Sequence, residues 1–340
     1  MIYRSKAPLR IGLAGGGTDV SPYSDLYGGA ILNATVSLYA YANIEPINEN
    51  AIILRTMDRK EEQRFEWSPE LPMDGNLDLL KGVYNRIRKD YDVPMTGFRL
   101  STFVDAPAGS GLGTSSTLVV AIVGAFAEML RLPMGEYDIA HLAYEIERKD
   151  LLMAGGRQDQ YAATFGGVNF MEFFGEDKVI VNPLRIKQQY LFELENNLVL
   201  YYTSTSRESA KIIEKQSQNV LDKKEKSIDA MHQLKLQAQL MKEALLKGRV
   251  HEIGEILDFG FQQKRKMAEG ISNPMMEEIY EAAKSAGANG GKISGAGGGG
   301  FMIFYCPDNT KYDVIETISK FGGYIKNYQF VDHGMTSWTI

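Results

Sequence analysis

A glycine-rich segment near the middle of the sequence has the composition of an anion-binding loop. Residues 109–116 read Gly-Ser-Gly-Leu-Gly-Thr-Ser-Ser, between a predicted strand and an apolar run from Leu118 to Leu130 that predicts a buried helix. Glycines let successive backbone N–H groups point at one centre, and a helix N-terminus adds unpaired donors and the positive end of its dipole. The segment therefore predicts a phosphate site. Capping of the helix by Thr114 or Ser115 is the alternative.

Three other phosphate- or nucleotide-binding motifs are excluded. The only Gly-Lys pair is Gly291-Lys292, with Ala286 five positions before it and Ile293 after it, so the Walker A pattern fails. No His-Arg-Asp occurs, which excludes the protein-kinase signature. Residues 295–300 fit G-x-G-x-x-G, but a predicted strand follows them instead of the helix that a dinucleotide site requires.

Composition narrows the class of protein. The chain has 340 residues, one cysteine and a net charge of −6, so we expect two domains, no disulfide, and no partner among nucleic acids or membranes. The longest apolar run, from Leu118 to Ala127, is far shorter than the roughly 20 residues of a membrane span. The first residues lack the apolar core of a signal peptide, and we therefore expect a cytoplasmic protein.

Hydrophobic periodicity predicts the elements that must position the glycine-rich segments. A lysine- and glutamate-rich stretch, 206–270, predicts long amphipathic helices broken near Gly248. Strands are predicted over 8–13, 30–44, 51–57, 98–104, 167–173, 198–203, 301–306 and 323–331. Helices are predicted over 74–91, 118–130, 139–153, 275–286 and 312–321. The change in composition predicts two domains, 1–195 and 196–340.

Three segments, Pro8–Asp19, Pro107–Ser116 and Lys292–Gly299, resemble in order and spacing the three motifs of the GHMP kinases. The resemblance spans almost the whole chain. It implies an α+β fold of two domains, an N-terminal βαβ-containing nucleotide-binding domain and a C-terminal ferredoxin-like α/β sandwich. It also implies ATP and Mg²⁺ as cofactors, a small-molecule sugar phosphate as substrate, and a monomer or homodimer.

The first motif also resembles one branch of that family. Galactokinases carry Glu-His where this chain has Gly16-Gly17, and the stretch Pro8–Gly29 looks like the D-glycero-D-manno-heptose 7-phosphate kinases. That resemblance implies phosphorylation of the anomeric hydroxyl, giving the 1,7-bisphosphate for nucleotide-activated heptose and surface glycans. A kinase for L-fucose or galactose, or a sugar sensor without turnover, remains an alternative.

The resemblance also assigns roles to residues that bind the nucleotide and the metal. Ser115 and Glu147 match the Mg²⁺ ligands, with Glu145 as the alternative carboxylate on the same predicted helix. The backbone around the ATP triphosphate comes from Pro107, Ala108, Gly109, Ser110, Gly111, Leu112, Gly113, Thr114, Ser115 and Ser116.

The remaining assignments concern phosphoryl transfer and the acceptor. Asp159 matches the acceptor of the hydroxyl proton, and Arg10 matches the cation beside it, with Lys6 as a nearby competitor. A sensor could lose any of Arg10, Ser115, Glu147 or Asp159, and this chain has all four, which favours an enzyme. Substrate binding is predicted for Gly16, Gly17, Thr18, Asp19, Arg207, Gly297 and Gly298.

Overall fold

The computed structural model describes residues 1–91, 96–205 and 209–340. Within them, eight strands form a mixed sheet in the order β12-β1-β2-β5-β3-β4, with β6 on the first part of β2 and β7 beyond β6. The strands are β1 (Tyr3–Ala14), β2 (Gly29–Pro46), β3 (Ala51–Thr56), β4 (Glu61–Glu66), β5 (Phe98–Val104), β6 (Val168–Phe173), β7 (Val179–Pro183) and β12 (Thr336–Thr339).

Strand β2 organises this sheet. Its first part, from Gly29 to Ala34, pairs with β6, and its second part, from Ala40 to Pro46, pairs with β5 on the same edge. Residues 29–36 are all buried, whereas burial alternates from Ser37 onward. The first part therefore lies between two covered faces, and the second part has one face toward solvent.

Helices cover the sheet. Helix α3 is buried on all sides, since every residue from Leu118 to Phe126 is buried, and it packs on β1 and β2. Strands β3 and β5 are parallel and are joined through β4 and α2, which confirms the predicted βαβ unit. The helices of this part are α1 (Tyr23–Tyr27), α2 (Asp78–Asp90), α3 (Thr114–Leu130), α4 (Glu136–Glu145), α5 (Gln158–Phe165) and α6 (Gln188–Asn197).

The second sheet is smaller and antiparallel. Its described strands lie in the order β11-β8-β10-β9, which in chain order is 4-1-3-2, the order of a ferredoxin-like sheet. The predicted ferredoxin-like part is thus confirmed. Its strands are β8 (Leu198–Tyr202), β9 (Gly290–Ile293), β10 (Phe301–Tyr305) and β11 (Tyr324–Ile325). Its helices are α7 (Ser209–Leu221), α8 (Glu225–Lys247), α9 (Ile253–Met267), α10 (Pro274–Ser285) and α11 (Lys311–Ser319).

A shared apolar core joins the two sheets. Leu9 and Ile11 of β1 belong to the same buried cluster as Leu200 of β8, Phe301 of β10 and Met241 of α8. Helix α8 also contacts β1 and β2, so the second half of the chain covers a face of the first sheet. The predicted boundary between residues 195 and 196 stays a prediction. Among the described helices, none has both the length and the apolar composition needed to cross a bilayer.

The predicted strand over 323–331 is largely wrong. Only Tyr324–Ile325 pairs in the second sheet, and the chain then crosses to the first sheet, where Phe330 forms an isolated bridge with Val36. Strand β12 follows and pairs with β1 from Tyr3 to Lys6. Ile325, Phe330 and Val331 are only half-buried along this crossing, and their spacing resembles that of a longer strand in the sequence.

Candidate active site

The loop before α3 has the conformation that a phosphate site needs. Gly109, Gly111 and Gly113 have φ angles of 71°, 85° and 79°, which favour glycine. Gly113 is the N-cap of α3, and no side chain of the described residues caps the helix, so the alternative of a Thr114 or Ser115 cap is wrong. The first N–H groups of α3 therefore keep their capacity to bind an anion.

A cleft of about 380 Å³ opens in front of this loop. Gly295 and Ala296, between β9 and β10, line its far side together with Lys264 of α9. Of the predicted site residues, it brings together Arg10, Gly17, Asp19, Gly111, Gly113, Thr114, Ser115, Ser116, Glu147 and Asp159.

Arg10 and Asp159 form an ion pair in the cleft. The guanidinium of Arg10, 3% exposed, donates from Nε to Asp159 Oδ1 at 2.6 Å, and its second terminal nitrogen lies 2.5 Å from the same oxygen. Its other terminal nitrogen donates to the carbonyl of Gly111 at 2.7 Å. A Cβ on Gly113 would lie 3.0 Å from Asp159 Cγ. The predicted catalytic pair thus lies directly against Gly111 and Gly113 of the predicted phosphate loop, residues 109–116.

Asp19 holds the helix that carries Asp159. One oxygen of its buried carboxylate accepts from the backbone N–H groups of Arg157 at 2.8 Å and Gln158 at 3.0 Å, at the start of α5. Burial raises the pKa of Asp19 above its usual value, although these N–H groups oppose the shift. Asp19 also lines the cleft, so its predicted contact with the substrate stays a prediction.

Glu147 reaches the cleft through a break in helix geometry. After α4, residues Ile146–Asp150 form a π-helical turn, and Glu147 is 1% exposed within it. Its Oε2 accepts from Gln160, whose Nε2 also donates to Ser116 Oγ at 3.2 Å. Glu145 instead pairs with Arg86 at 2.5 Å and Lys149 at 3.0 Å, away from the cleft lining, which leaves Glu147 as the metal-ligand candidate.

The residues around Glu147 fit a divalent cation. Its second oxygen, Oε1, is buried and has no hydrogen-bond partner among the described residues, and Arg148 lies 3.8 Å from it. Burial raises the pKa of Glu147, because its charged form loses the solvation that water provides. A bound cation would offset this loss. Ser115 adds a hydroxyl to the same cleft wall. A carboxylate and a hydroxyl are hard oxygen ligands of the kind Mg²⁺ takes.

The structure does not bring every predicted residue to the cleft. Thr18 is buried, and its hydroxyl donates to Gly15 O at 2.8 Å to hold the turn. Gly297 and Gly298 are buried against Ile271, whose carbonyl accepts from Gly298 at 2.7 Å. Gly16 is half-buried beside the cleft. Arg207 lies outside the described residues.

A second cavity, of about 430 Å³, adjoins the loop and is absent from the sequence-based predictions. Apolar side chains of α2 and α3, including Leu80 and Leu118, form much of its wall, and Thr114 and Ser115 connect it to the cleft. An apolar pocket beside a phosphate loop suits a nucleoside. Its residues come from distant segments, so no local pattern could reveal it.

Lys264 is the second feature that the sequence analysis missed. It is 4% exposed and follows Ile253, Leu257 and Phe261 on the buried face of α9. Its position on the apolar face of a predicted amphipathic helix could have indicated a buried lysine, because lysines are rarely buried without a partner.

Comparisons with known proteins agree with this geometry. The family model described as GHMP kinases N terminal domain matches residues 78–167, and the one described as GHMP kinases C terminal matches residues 241–323. The D-glycero-alpha-D-manno-heptose 7-phosphate kinase of Campylobacter jejuni is 48% identical over 337 residues, which cover 99% of each chain. A bifunctional fucokinase/GDP-fucose pyrophosphorylase of Arabidopsis thaliana is 28% identical over 89% of this chain and 30% of its own length.

A solved structure gives the same result for the fold. The crystal structure of a D-glycero-D-manno-heptose 1-phosphate kinase from Bacteriodes thetaiotaomicron superposes with a TM-score of 0.85 at 46% identity, covering 99% of each chain. Two family models, a whole-length relative and this superposition agree. The chain therefore belongs to the GHMP kinase family, and it is an ATP-dependent kinase.

Proposed function

We propose that this sugar kinase transfers the γ-phosphoryl group of ATP to the anomeric hydroxyl of D-glycero-D-manno-heptose 7-phosphate and forms the 1,7-bisphosphate. The observation that carries the proposal is the Arg10–Asp159 pair, held against Gly111 and Gly113 of the phosphate loop. The whole-length relative named as a heptose 7-phosphate kinase supports this choice of acceptor.

The cleft residues suit the chemistry of this transfer. Asp159 accepts the proton of the attacking hydroxyl while the bond between the γ-phosphorus and the bridging oxygen breaks and ADP leaves. Arg10 fixes the orientation of this carboxylate and offsets negative charge on the phosphoryl group. The N-terminus of α3 and the loop backbone bind the phosphates.

Mg²⁺ belongs to the proposal, with Ser115 and Glu147 as its protein ligands. When bound, the ion neutralises charge on the phosphate oxygens.

We expect Glu147→Gln to raise the Mg²⁺ concentration at half-maximal rate about tenfold or more, because loss of a ligand or of its supporting group weakens metal sites on that scale. The matched control is Glu145→Gln, which removes a surface partner of Arg86 and should leave the Mg²⁺ dependence unchanged. Equal shifts in both variants would remove Glu147 from the metal site.

The acceptor is tested with a panel of sugars. Purified protein and MgATP are mixed with heptose 7-phosphate, heptose 1-phosphate, L-fucose or galactose, ADP release is followed, and ³¹P NMR locates the new phosphate. We expect fastest turnover with heptose 7-phosphate and a new anomeric phosphate signal. Preference for heptose 1-phosphate, the substrate named for the Bacteriodes structure, would place transfer at the other end of the sugar. Binding without turnover of any sugar would favour a sensor.

A role in a reaction sequence follows from the product. A nucleotidyltransferase uses an anomeric phosphate to form a nucleotide-activated sugar. We propose that the product supplies the synthesis of nucleotide-activated heptose for surface glycans. Assembly as a monomer or homodimer stays a prediction.

A further inference from the structure

Lys264 occupies the cleft wall without a role in the reaction described so far. It is 4% exposed and lies on the same cleft as Arg10, Asp19 and Asp159. Among the described residues it forms no ion pair, and its ammonium donates to the backbone carbonyl of Gly295. A buried ammonium with only a neutral acceptor is costly, so a negatively charged ligand would be a favourable partner.

Lys264 contacts a residue that lies against the predicted phosphate loop. A Cβ on Gly295, whose carbonyl it contacts, would lie 2.7 Å from Gly111 Cα. Ser294 Oγ donates to Gly111 O at 2.8 Å, and Arg10 donates to the same carbonyl at 2.7 Å. Three groups thus converge on Gly111, and Lys264 contacts the carbonyl of one of them, Gly295.

Lys292 is a second buried lysine close to Lys264. Lys292 is 5% exposed and donates to Gly12 O at 2.8 Å, and it does not line the cleft. A Cβ on Gly16 would lie 3.7 Å from the Lys264 nitrogen and 3.9 Å from the Lys292 nitrogen. Positive charge is therefore concentrated where the first and third glycine-rich motifs meet.

The electrostatics agree with a site for an anion. Burial, followed by the charge of Arg10, lowers the pKa of Lys264 to about 8, and Asp19 opposes this shift. The pKa of Lys292 is lowered well below its usual value by burial and then by Lys264 and Arg10. The charged groups that face Lys264 are thus Arg10, Lys292 and Asp19, and an anion in the cleft would favour its charged form.

We infer that Lys264 is a second cation of the transfer site and binds the γ-phosphoryl group of the nucleotide opposite Arg10. The inference rests on the proposed phosphoryl transfer. Lys264 donates a hydrogen bond to a phosphoryl oxygen and keeps its proton throughout, so the bonds made and broken are those already described. In the structure its ammonium donates to Gly295 O.

The test compares two nucleotides without any sugar. Calorimetry measures the dissociation constants of the β,γ-imido analogue of ATP and of ADP, each with saturating Mg²⁺, at pH 7 and pH 9. We expect Lys264→Met to weaken the analogue about tenfold or more and to leave ADP within about twofold, because only the analogue has a γ-phosphate. Lys311→Met is the matched control, because Lys311 also donates to a backbone carbonyl, that of Asn196, and does not line the cleft. It should change neither constant.

The pH dependence gives a second readout. In the wild type, the preference for the analogue over ADP should fall from pH 7 to pH 9 as Lys264 loses its proton. Lys264→Arg keeps its charge over this range and should retain the preference at pH 9. This variant also serves if Lys264→Met fails to fold, which circular dichroism would show.

Two results would overturn the inference. One is an equal change, or no change, in the affinities for the analogue and for ADP in Lys264→Met, which would leave Lys264 a structural donor to Gly295. The other is a fall in the preference between pH 7 and pH 9 that is as large in Lys264→Met as in the wild type, which would assign it to a group other than Lys264. Neither measurement uses an acceptor, so a wrong choice of sugar in the proposed function leaves both intact.

Discussion

Two glycine-rich loops look alike in the sequence and differ in the structure. In the middle loop, Pro107 to Gly109 are exposed and Gly111 and Gly113 line the cleft. In the late loop, residues 297–300 are buried. A Cβ would lie 2.5 Å from the Ile271 carbonyl oxygen if placed on Gly297, and 2.4 Å from the Ser110 carbonyl oxygen if placed on Gly300.

The difference separates two uses of glycine. Gly113 of the middle loop leaves room for the side chain of Asp159, whereas Gly297 and Gly300 of the late loop leave room for other backbone. The late loop also supports the middle one, because the N–H of Phe301 donates to Ser110 O at 2.9 Å. Substitution of Gly113 should therefore act on catalysis, and substitution of Gly297 or Gly300 on stability.

The largest effect should follow from removing the carboxylate beside the middle loop. Asp159→Asn keeps the size of the side chain but lowers its basicity, and we expect kcat to fall about 10³-fold, within the usual range for a positioned base. ATP affinity, measured by calorimetry, should change less than about threefold. Turnover equal to that of the wild type would remove Asp159 from proton transfer.

Gly113→Ala should act on catalysis at little cost in stability. Its φ of 79° strains alanine by about 1 kcal/mol, and the new Cβ would displace Asp159, which lies 3.0 Å away. A misplacement of this kind costs up to about 10²-fold in rate. Steady-state kinetics and thermal unfolding measure the two effects. A variant that loses stability and keeps its rate would contradict the contrast between the loops.

Gly297→Ala should show the opposite behaviour. Its φ is 110°, and the new Cβ would meet the Ile271 carbonyl oxygen at 2.5 Å, so we expect a loss of about 2–3 kcal/mol in the free energy of unfolding. The matched control is Gly322→Ala, with a φ of 81° and no neighbour within 4 Å, which should cost about 1 kcal/mol. Urea titration measures both. Equal losses would show that contact with Ile271 adds nothing.

The smallest effects concern Asp19. Asp19→Ala removes the acceptor at the start of α5 and should cost about 1–2 kcal/mol, whereas Asp19→Asn keeps an acceptor and should cost less than about 1 kcal/mol. Because burial raises the pKa of Asp19, its carboxyl ionises in the unfolded chain before it ionises in the folded one. The stability therefore falls as pH rises from the usual aspartate pKa to the raised one. The stability of Asp19→Asn relative to the wild type should therefore increase from acid to neutral pH. A constant difference would contradict the raised pKa.

The sequence predicted most of the site because its residues lie in motifs with a physical reason for their order. The predicted phosphate loop and Asp159 lie at helix starts and Arg10 lies within β1, and the cleft brings all three together as expected. Features that depend on distant contacts were missed. Lys264 becomes part of the cleft only when α9 packs against the first glycine turn. The burial of Glu147 depends on a π-helical turn that no local sequence pattern predicts.

The route of β12 has a consequence for synthesis on the ribosome. Residues 3–6 of β1 take their outer hydrogen-bonding partner from residues 336–339, so this edge of the first sheet stays open until residues 336–339 have been translated. An open edge can pair with other nascent chains, and the inner partner β2 protects only one side of β1. Shortening the chain before Thr336 should therefore favour aggregation even though the cleft keeps all its lining residues.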